Sequence, residues 1–308
     1  MGALTRTRAG RPARDLEYAV IDMETTGLNP AAGARVCEIA VLRMRGDGTV
    51  LREFTTLLDP GVPVTGREFH GIGDSDVVGA PTAADIAGEL AALCAGAVIV
   101  GHKLDFEEGF LAAEPAFADR LPDGLPGLCT LRALRSQVDL TRYSLPWASH
   151  ALNGHWPTGQ HTALGDARAC AQLLAELLHN APGELRYTGP DPLTVASPVP
   201  WPASGDRPRL KPRRRVDGVN GFTPRLPDGG LRAAPAHPLR PWPGFWRPDE
   251  LDPARCGGRF DPGQRAAAVA VVTRRRRRRE AAMAAVALTG AAATAAAVAA
   301  LRRRIRGR

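Results

Sequence analysis

Apolar and polar positions fall into regular patterns over the first part of this chain and lose them later. Apolar or alternating runs predict strands near 17–23, 36–45 and 50–57, and a buried strand near 97–101. Gly46-Asp47-Gly48 lies between the second and third of these and predicts a tight hairpin turn. A helix is expected after Pro81-Thr82, with Thr82 as its N-cap. Further helices are expected near 106–118, 130–136, 144–153 and 162–179. In the last, Leu164, Ala167, Ala171, Leu174 and Leu178 recur at spacings of three and four. Strands interleaved with helices make this an α/β domain, with a mixed sheet and helices packed on it.

Composition sets the limits of that domain. Of 308 residues, those through Pro190 hold 16 Lys/Arg and 23 Asp/Glu, a charge of −7. The remainder holds 24 and 9, a charge of +15, which completes the overall +8. From about Pro182 to Pro262 proline is dense and apolar periodicity is absent, as in an extended or disordered linker. The organisation expected is therefore a basic arm at 1–15, the α/β domain at 16–181, a Pro-rich linker at 182–265 and an Arg/Ala-rich tail helix at 266–308. Cys37, Cys94, Cys129, Cys170 and Cys256 are odd in number and lack metal spacing, which suggests a reducing cytoplasm. Arg6, Arg8, Arg11 and Arg14 precede no apolar core, so no secretory signal is expected.

Three segments carry candidate chemistry. In Tyr18-Ala-Val-Ile-Asp22-Met-Glu24 an apolar run ends in two carboxylates one residue apart. On a strand both point to the same face, where like charges repel unless a cation lies between them. Hard divalent ions such as Mg²⁺ or Mn²⁺ take oxygen ligands of this kind. In Val98-Ile-Val-Gly-His102-Lys103-Leu-Asp105-Phe106-Glu107 a short strand runs into an acid-bearing helix. In His161-Thr-Ala-Leu-Gly-Asp166 a histidine stands at the start of a helix and an acid in its first turns. Each segment alone has a plainer reading, as a solvated helix acid or an ordinary strand-to-helix turn.

Taken together and in this order, residues 16–180 resemble the DEDDh 3′–5′ exonucleases, the family of the proofreading epsilon subunit of bacterial DNA polymerase III. The connecting text agrees: Thr25-Thr26-Gly27-Leu28, Glu38-Ile39-Ala40 and His70-Gly71-Ile72. The resemblance implies a ribonuclease H-like fold. It also implies metal ligands at Asp22, Glu24, Glu107 and Asp166, with His161 as general base. By the same analogy, substrate-binding positions fall at Met23, Thr25, His102 and Lys103. The middle motif departs from the family form His-Asn-x-x-Phe-Asp, because Lys103 replaces Asn and Glu107 replaces the final Asp. Glu keeps the charge but adds a methylene, and catalysis is sensitive to shifts of about 1 Å. Asp105 is an alternative third acid if the turn is irregular. Lys103 could hold a phosphate, pair with Glu107 or disturb the site.

The implied chemistry uses two ions about 4 Å apart to stabilise the attacking and leaving oxygens. An imidazole, titrating near neutral pH, takes the proton of the attacking water. The expected product is a nucleoside 5′-monophosphate released from a 3′ end of single-stranded DNA, in replication proofreading or repair. Action on short RNA and a binding module with an impaired site are the alternatives.

The tail has its own pattern. Six arginines, Arg274–Arg279, precede an uncharged stretch at 281–301 with 13 alanines, and the chain closes on Arg302-Arg-Arg-Ile-Arg-Gly-Arg308. Alanine is barely apolar, so a soluble helix is expected rather than a membrane span. The arginines suit nucleic-acid phosphates or anionic headgroups, or form a solvated tail. Trp242, Phe245 and Trp246 among prolines suggest a short docking motif that does not itself identify a partner; the resemblance implies a DNA polymerase or other replication partner.

Overall fold

The computed structural model describes residues 1–119, 121, 126–140, 142–181, 183–192 and 209–213. The Arg274–Arg279 run, the Ala-rich stretch and the Trp242–Trp246 motif lie outside the described residues. No helix among the described residues is long and apolar enough to cross a membrane.

The elements in chain order are β1 (Leu4–Thr5), β2 (Arg11–Pro12), β3 (Glu17–Thr25), β4 (Val36–Arg45), β5 (Val50–Leu57), α1 (Arg67–His70), α2 (Asp74–Val77), α3 (Ala83–Cys94), β6 (Val98–Gly101), α4 (Leu104–Ala113), α5 (Pro115–Ala118), β7 (Gly127–Cys129), α6 (Thr130–Gln137), α7 (Leu145–Asn153), α8 (Ala163–Asn180) and β8 (Arg186–Tyr187). Two short 3₁₀ turns, Ala13–Asp15 and Pro30–Ala32, flank β3.

Five strands form one sheet in the order β5-β4-β3-β6-β7. β3, β4 and β5 pair antiparallel, and β6 and β7 add in parallel, so the sheet is mixed and ribonuclease H-like. The β4–β5 turn closes with Arg45 N–H donating to the Thr49 carbonyl over 2.9 Å, and Gly48 takes the left-handed φ of 93° that the turn requires.

Strand alternation divides the core. Tyr18, Val20, Leu42, Met44, Val98 and Val100 face α6, α7 and α8, where they meet Leu134, Ala148, Leu173 and Leu177. Ala19, Ile21, Met23, Ile39, Val41 and Ile99 face α3, α4 and α5, against Ile86, Leu90, Phe110 and Phe117. A sheet buried on both faces needs such near-continuous apolar strands. Thr82 caps α3 as expected, accepting from Asp85 N–H while Asp85 reaches back to Thr82 N–H.

The structure differs from the sequence reading in three places. Residues 1–15 are not a free basic arm. β1 and β2 flank β8 in a second, three-stranded sheet, Leu4 is fully buried, and Tyr18 Oη donates to the Ala13 carbonyl over 2.5 Å. The folded body therefore runs past residue 181 to β8. The helix expected at 106–118 is two helices, because Pro115 disfavours helical backbone at Glu114, which is extended. Within the Pro-rich segment, residues 209–213 lie against the domain: Leu57 N–H donates to the Lys211 carbonyl over 2.9 Å.

Candidate active site

The end of β3 supplies two acids to the α8 face. Asp22 and Glu24 continue the alternation of Tyr18 and Val20, so their side chains leave the sheet towards α8. α8 comes close at this point because the contact is built from small residues: Ala40 of β4 packs on Ala163 and Ala167. The first turns of α8 thereby bring Asp166 to the pair. Ligand oxygens of Asp22, Glu24 and Asp166 all lie within 4.8 Å of one another.

The turn before α8 is folded back tightly. Thr162 Oγ1 accepts from Gly165 N–H over 3.1 Å and donates to the Gly159 carbonyl over 2.6 Å. Gly165 is required here, since a Cβ on it would sit 1.9 Å from the Gly159 carbonyl oxygen. His161 has a left-handed φ of 59°, an uncommon state for a residue with a side chain. Its N–H donates to Asp166 Oδ2 over 3.1 Å, and its side chain is exposed. The backbone of His161 thus orients one acid, and its ring faces outward beside the cluster.

Glu107 comes from α4, which starts at the end of β6. It is buried, and its Oε2 has no hydrogen-bond partner among the described residues. The carboxyl lies against Gly101, where a Cβ would be 3.1 Å from Oε2. Asp105 is turned away from the site and pairs with Arg132 at 2.7 Å, so it does not take the third acid's place.

Electrostatics couple these acids through Asp22, the one on which all the others act. Burial, followed by Asp166, Glu107, Glu24 and Glu38, raises the Asp22 carboxyl well above the usual range. Burial and then Asp166 and Glu38 push Glu24 up to about 8, while Arg213 opposes the rise. Burial raises Glu107 to about 7, with Lys103 opposing, and Asp166 to about 6, with the His161 N–H bond opposing. Buried like charges of this kind are the condition a divalent cation relieves. The three clustered acids fit such an ion, and Glu107 lies outside their 4.8 Å group with an oxygen left unpartnered among the described residues.

The remaining expected positions divide. Lys103 is exposed at the start of α4, where its charge acts on Glu107. Thr25 Oγ1 donates to the Gly27 carbonyl over 2.7 Å and shapes the loop after β3. Met23 alternates to the other face and is buried in the α3–α4 core, away from the acids. His102 is held on both ring nitrogens: Nε2–H donates to the Tyr143 carbonyl over 2.7 Å, which leaves Nδ1 to accept from Thr130 Oγ1 over 3.0 Å. Burial lowers it to about 4, so it is a neutral brace between β6, α6 and the segment before α7.

Glu38 was not among the expected site residues. It stands opposite Glu24 in the β3–β4 ladder, is 1 % exposed, and accepts the Ala163 N–H over 3.1 Å. It therefore anchors the first residue of α8. An acid within the apolar run Val36–Leu42 of β4, on the same face as Ala40, is the available signal.

The model of the exonuclease family (RNase T) matches residues 19–174, just over half of the chain, and the chain belongs to that family. Over 177 residues it is 34 % identical to a DNA polymerase III subunit epsilon-like protein of Rhodobacter capsulatus, covering 55 % of this chain and 25 % of that protein. Over 167 residues it is 29 % identical to the DNA polymerase III subunit epsilon of Aquifex aeolicus, covering 53 % of this chain and 81 % of that protein. The match thus spans only a quarter of the Rhodobacter protein, and 7 % of a PolC-type DNA polymerase III of Lacticaseibacillus paracasei that is 39 % identical over 109 residues, 34 % of this chain. Among solved structures it is similar to exonuclease X in complex with 5′ overhanging duplex DNA, at 23 % identity and a TM-score of 0.42, covering 58 % of this chain and 98 % of that one.

Proposed function

We propose that this protein is a divalent-cation-dependent 3′–5′ exonuclease that shortens single-stranded DNA from its 3′ end, releasing nucleoside 5′-monophosphates. The observation that carries this reading is the meeting of Asp22, Glu24 and Asp166 within 4.8 Å, next to the exposed ring of His161. Asp22, Glu24, Glu107 and Asp166 would hold the ions. When bound, such ions neutralise the phosphate and lower the pKa of an attacking water. Asp166 keeps its orientation through the His161 N–H. His161 receives the proton of the attacking water at its ring. Glu107 offers an oxygen that no group among the described residues satisfies.

DNA as substrate, and service to a polymerase in replication or repair, follow the relatives, which are named as epsilon subunits and PolC-type polymerases. The test is a time course on 5′-labelled single-stranded DNA and RNA of equal sequence, with Mg²⁺, Mn²⁺ or chelator, comparing wild type with Asp166→Ala. A metal-dependent ladder shortening from the 3′ end of DNA, lost in the variant, is expected. No shortening by folded wild-type protein with either metal would overturn the reading, and faster shortening of RNA would overturn the substrate assignment.

A further inference from the structure

Residues 209–213 reach the acidic cluster from far along the chain. β5 is an edge strand, and such an edge presents unpaired backbone groups. The segment takes up this edge: Lys211 N–H donates to Thr56 Oγ1 over 3.0 Å, and Leu57 N–H donates to the Lys211 carbonyl over 2.9 Å. Leu210 packs against the core on the α3–α4 side, and Lys211 Nζ donates to the Val78 carbonyl. These contacts fix the register of the segment, and two residues beyond Lys211 the Arg213 side chain enters the site, 11 % exposed.

Arg213 makes three contacts on three different pieces of the fold. Nη1 donates to the His161 carbonyl over 3.0 Å and to Glu38 Oε2 over 3.4 Å, and Nη2 donates to the His70 carbonyl. The His70 ring is itself buried, with Nε2 bonded to the Thr65 carbonyl at 3.0 Å and Nδ1 accepting from Ile72 N–H, so its carbonyl is a firm point of attachment. Glu38 in turn holds the first residue of α8. A guanidinium has a rigid fork of donors that can serve several acceptors at once, whereas an ammonium is a compact point charge. The acceptors are two backbone carbonyls and Glu38. They do not include Asp22, Glu24 or Asp166, so the guanidinium braces the rim of the cluster and leaves the clustered oxygens to a cation.

We propose that Arg213 is a positioning residue of the exonuclease, holding the His161 turn and the Glu38 anchor of α8 in register with the acidic cluster. The inference rests on the reading of His161 as the base. It makes segment 209–213 part of the catalytic apparatus, although it lies outside the span that the family model covers.

The experiment uses the full chain with Arg213→Ala and Arg213→Lys. Steady-state kinetics on single-stranded DNA with Mg²⁺ is paired with histidine-selective ¹³C NMR of the metal-free protein, the His161 signal being identified by its loss in His161→Gln. Both variants are expected to lower kcat about 10- to 100-fold, since small misplacements of a catalytic group cost this much, with KM changed less than about threefold. Both are expected to shift the His161 ring signal while the His179 signal stays in place. Lys at 213 retains the charge without the fork, so recovery of kcat by Arg213→Lys would overturn the bracing role. A rise in KM with kcat retained would instead mark a substrate contact, and a rise in kcat a segment that restrains the enzyme. Either result overturns the proposal, as does an unchanged His161 signal. An inactive wild type would defeat the exonuclease reading alone, and the NMR arm would still decide whether Arg213 orders the His161 turn.

Discussion

Glu24 and Glu38 stand directly opposite each other across the β3–β4 ladder, both on the face that α8 covers. Like charges in that relation are destabilising, and here Asp22, Asp166 and Glu107 are added to them. The consequence is a pH-dependent stability. Glu24, Glu107 and Asp166 hold protons more tightly in the cation-free fold than when unfolded. Groups shifted upward favour the fold below their unfolded values and withdraw that stability as pH rises through their folded values, here about 6 to about 8. In chelator, Tm should therefore fall as pH is raised from about 5 to about 8.5, and Mg²⁺ or Mn²⁺ should raise Tm more at the upper end. Calorimetry at the two ends checks this, and a Tm that rises with pH in chelator would contradict it.

Removing a clustered acid should separate activity from folding. Asp22→Ala and Asp166→Ala are expected to reduce hydrolysis by about 10³-fold or more, because each takes away a candidate ion ligand. Tm in chelator should hold or rise, since a buried repulsion is also removed. Full activity in either variant would sink the site assignment.

The Glu107–Gly101 contact explains how a longer acid is housed. With Oε2 3.1 Å from where a Cβ would be, Gly101→Ala must displace the carboxylate by a few tenths of an ångström. Gly101→Ala is expected to lower kcat about tenfold. Glu107→Asp should keep or raise activity, and in the double variant should offset part of the Gly101→Ala loss. A complete loss in Glu107→Asp would mean that the site depends on the extra methylene. Independent effects of the two changes would show that the contact does not matter.

His161 combines a left-handed backbone with an exposed ring, and substitution can divide the two. Asn tolerates left-handed φ, so His161→Asn should leave Tm within a few degrees of wild type. Loss of the ring should lower kcat about 10²- to 10⁴-fold, the usual contribution of a general base. Activity within twofold of wild type would remove His161 from the mechanism.

The long periodic elements were legible in the sequence. β3, β4, β5, α3, α6, α7 and α8 fall within a few residues of their expected places, because each repeats its pattern often enough to be seen, and β6 shows as a short wholly apolar run. β1, β2, β7 and β8 have two or three residues each and no period to detect. In residues 1–15 the arginines dominate the composition, yet the buried apolar residues are Leu4, before the first arginine, and Ala13, between the last two. The strand alternation that put Asp22 and Glu24 on one face also puts Met23 on the other, so a strict use of that rule excludes Met23 from the site. Glu38 and Arg213 were hidden for different reasons. Glu38 stands out as an acid in an apolar run, but only the β3–β4 register places it opposite Glu24. Arg213 lies in a Pro-rich stretch, and only tertiary contact reveals its role.

The contact of Ala40 with Ala163 and Ala167 acts as a spacer gauge. Ala40 is the ladder partner of Asp22, and Ala163 and Ala167 bracket the turn that bears Asp166. The bulk of three methyl groups therefore sets the aperture between acids on two separate elements. Ion radius is discriminated by cavity size and rigidity, so hydrocarbon that touches no ion would help to set which ion fits. An Ala40→Val change would wedge α8 away from β4 and shift preference from Mg²⁺ towards the larger Mn²⁺, with every ligand left in place.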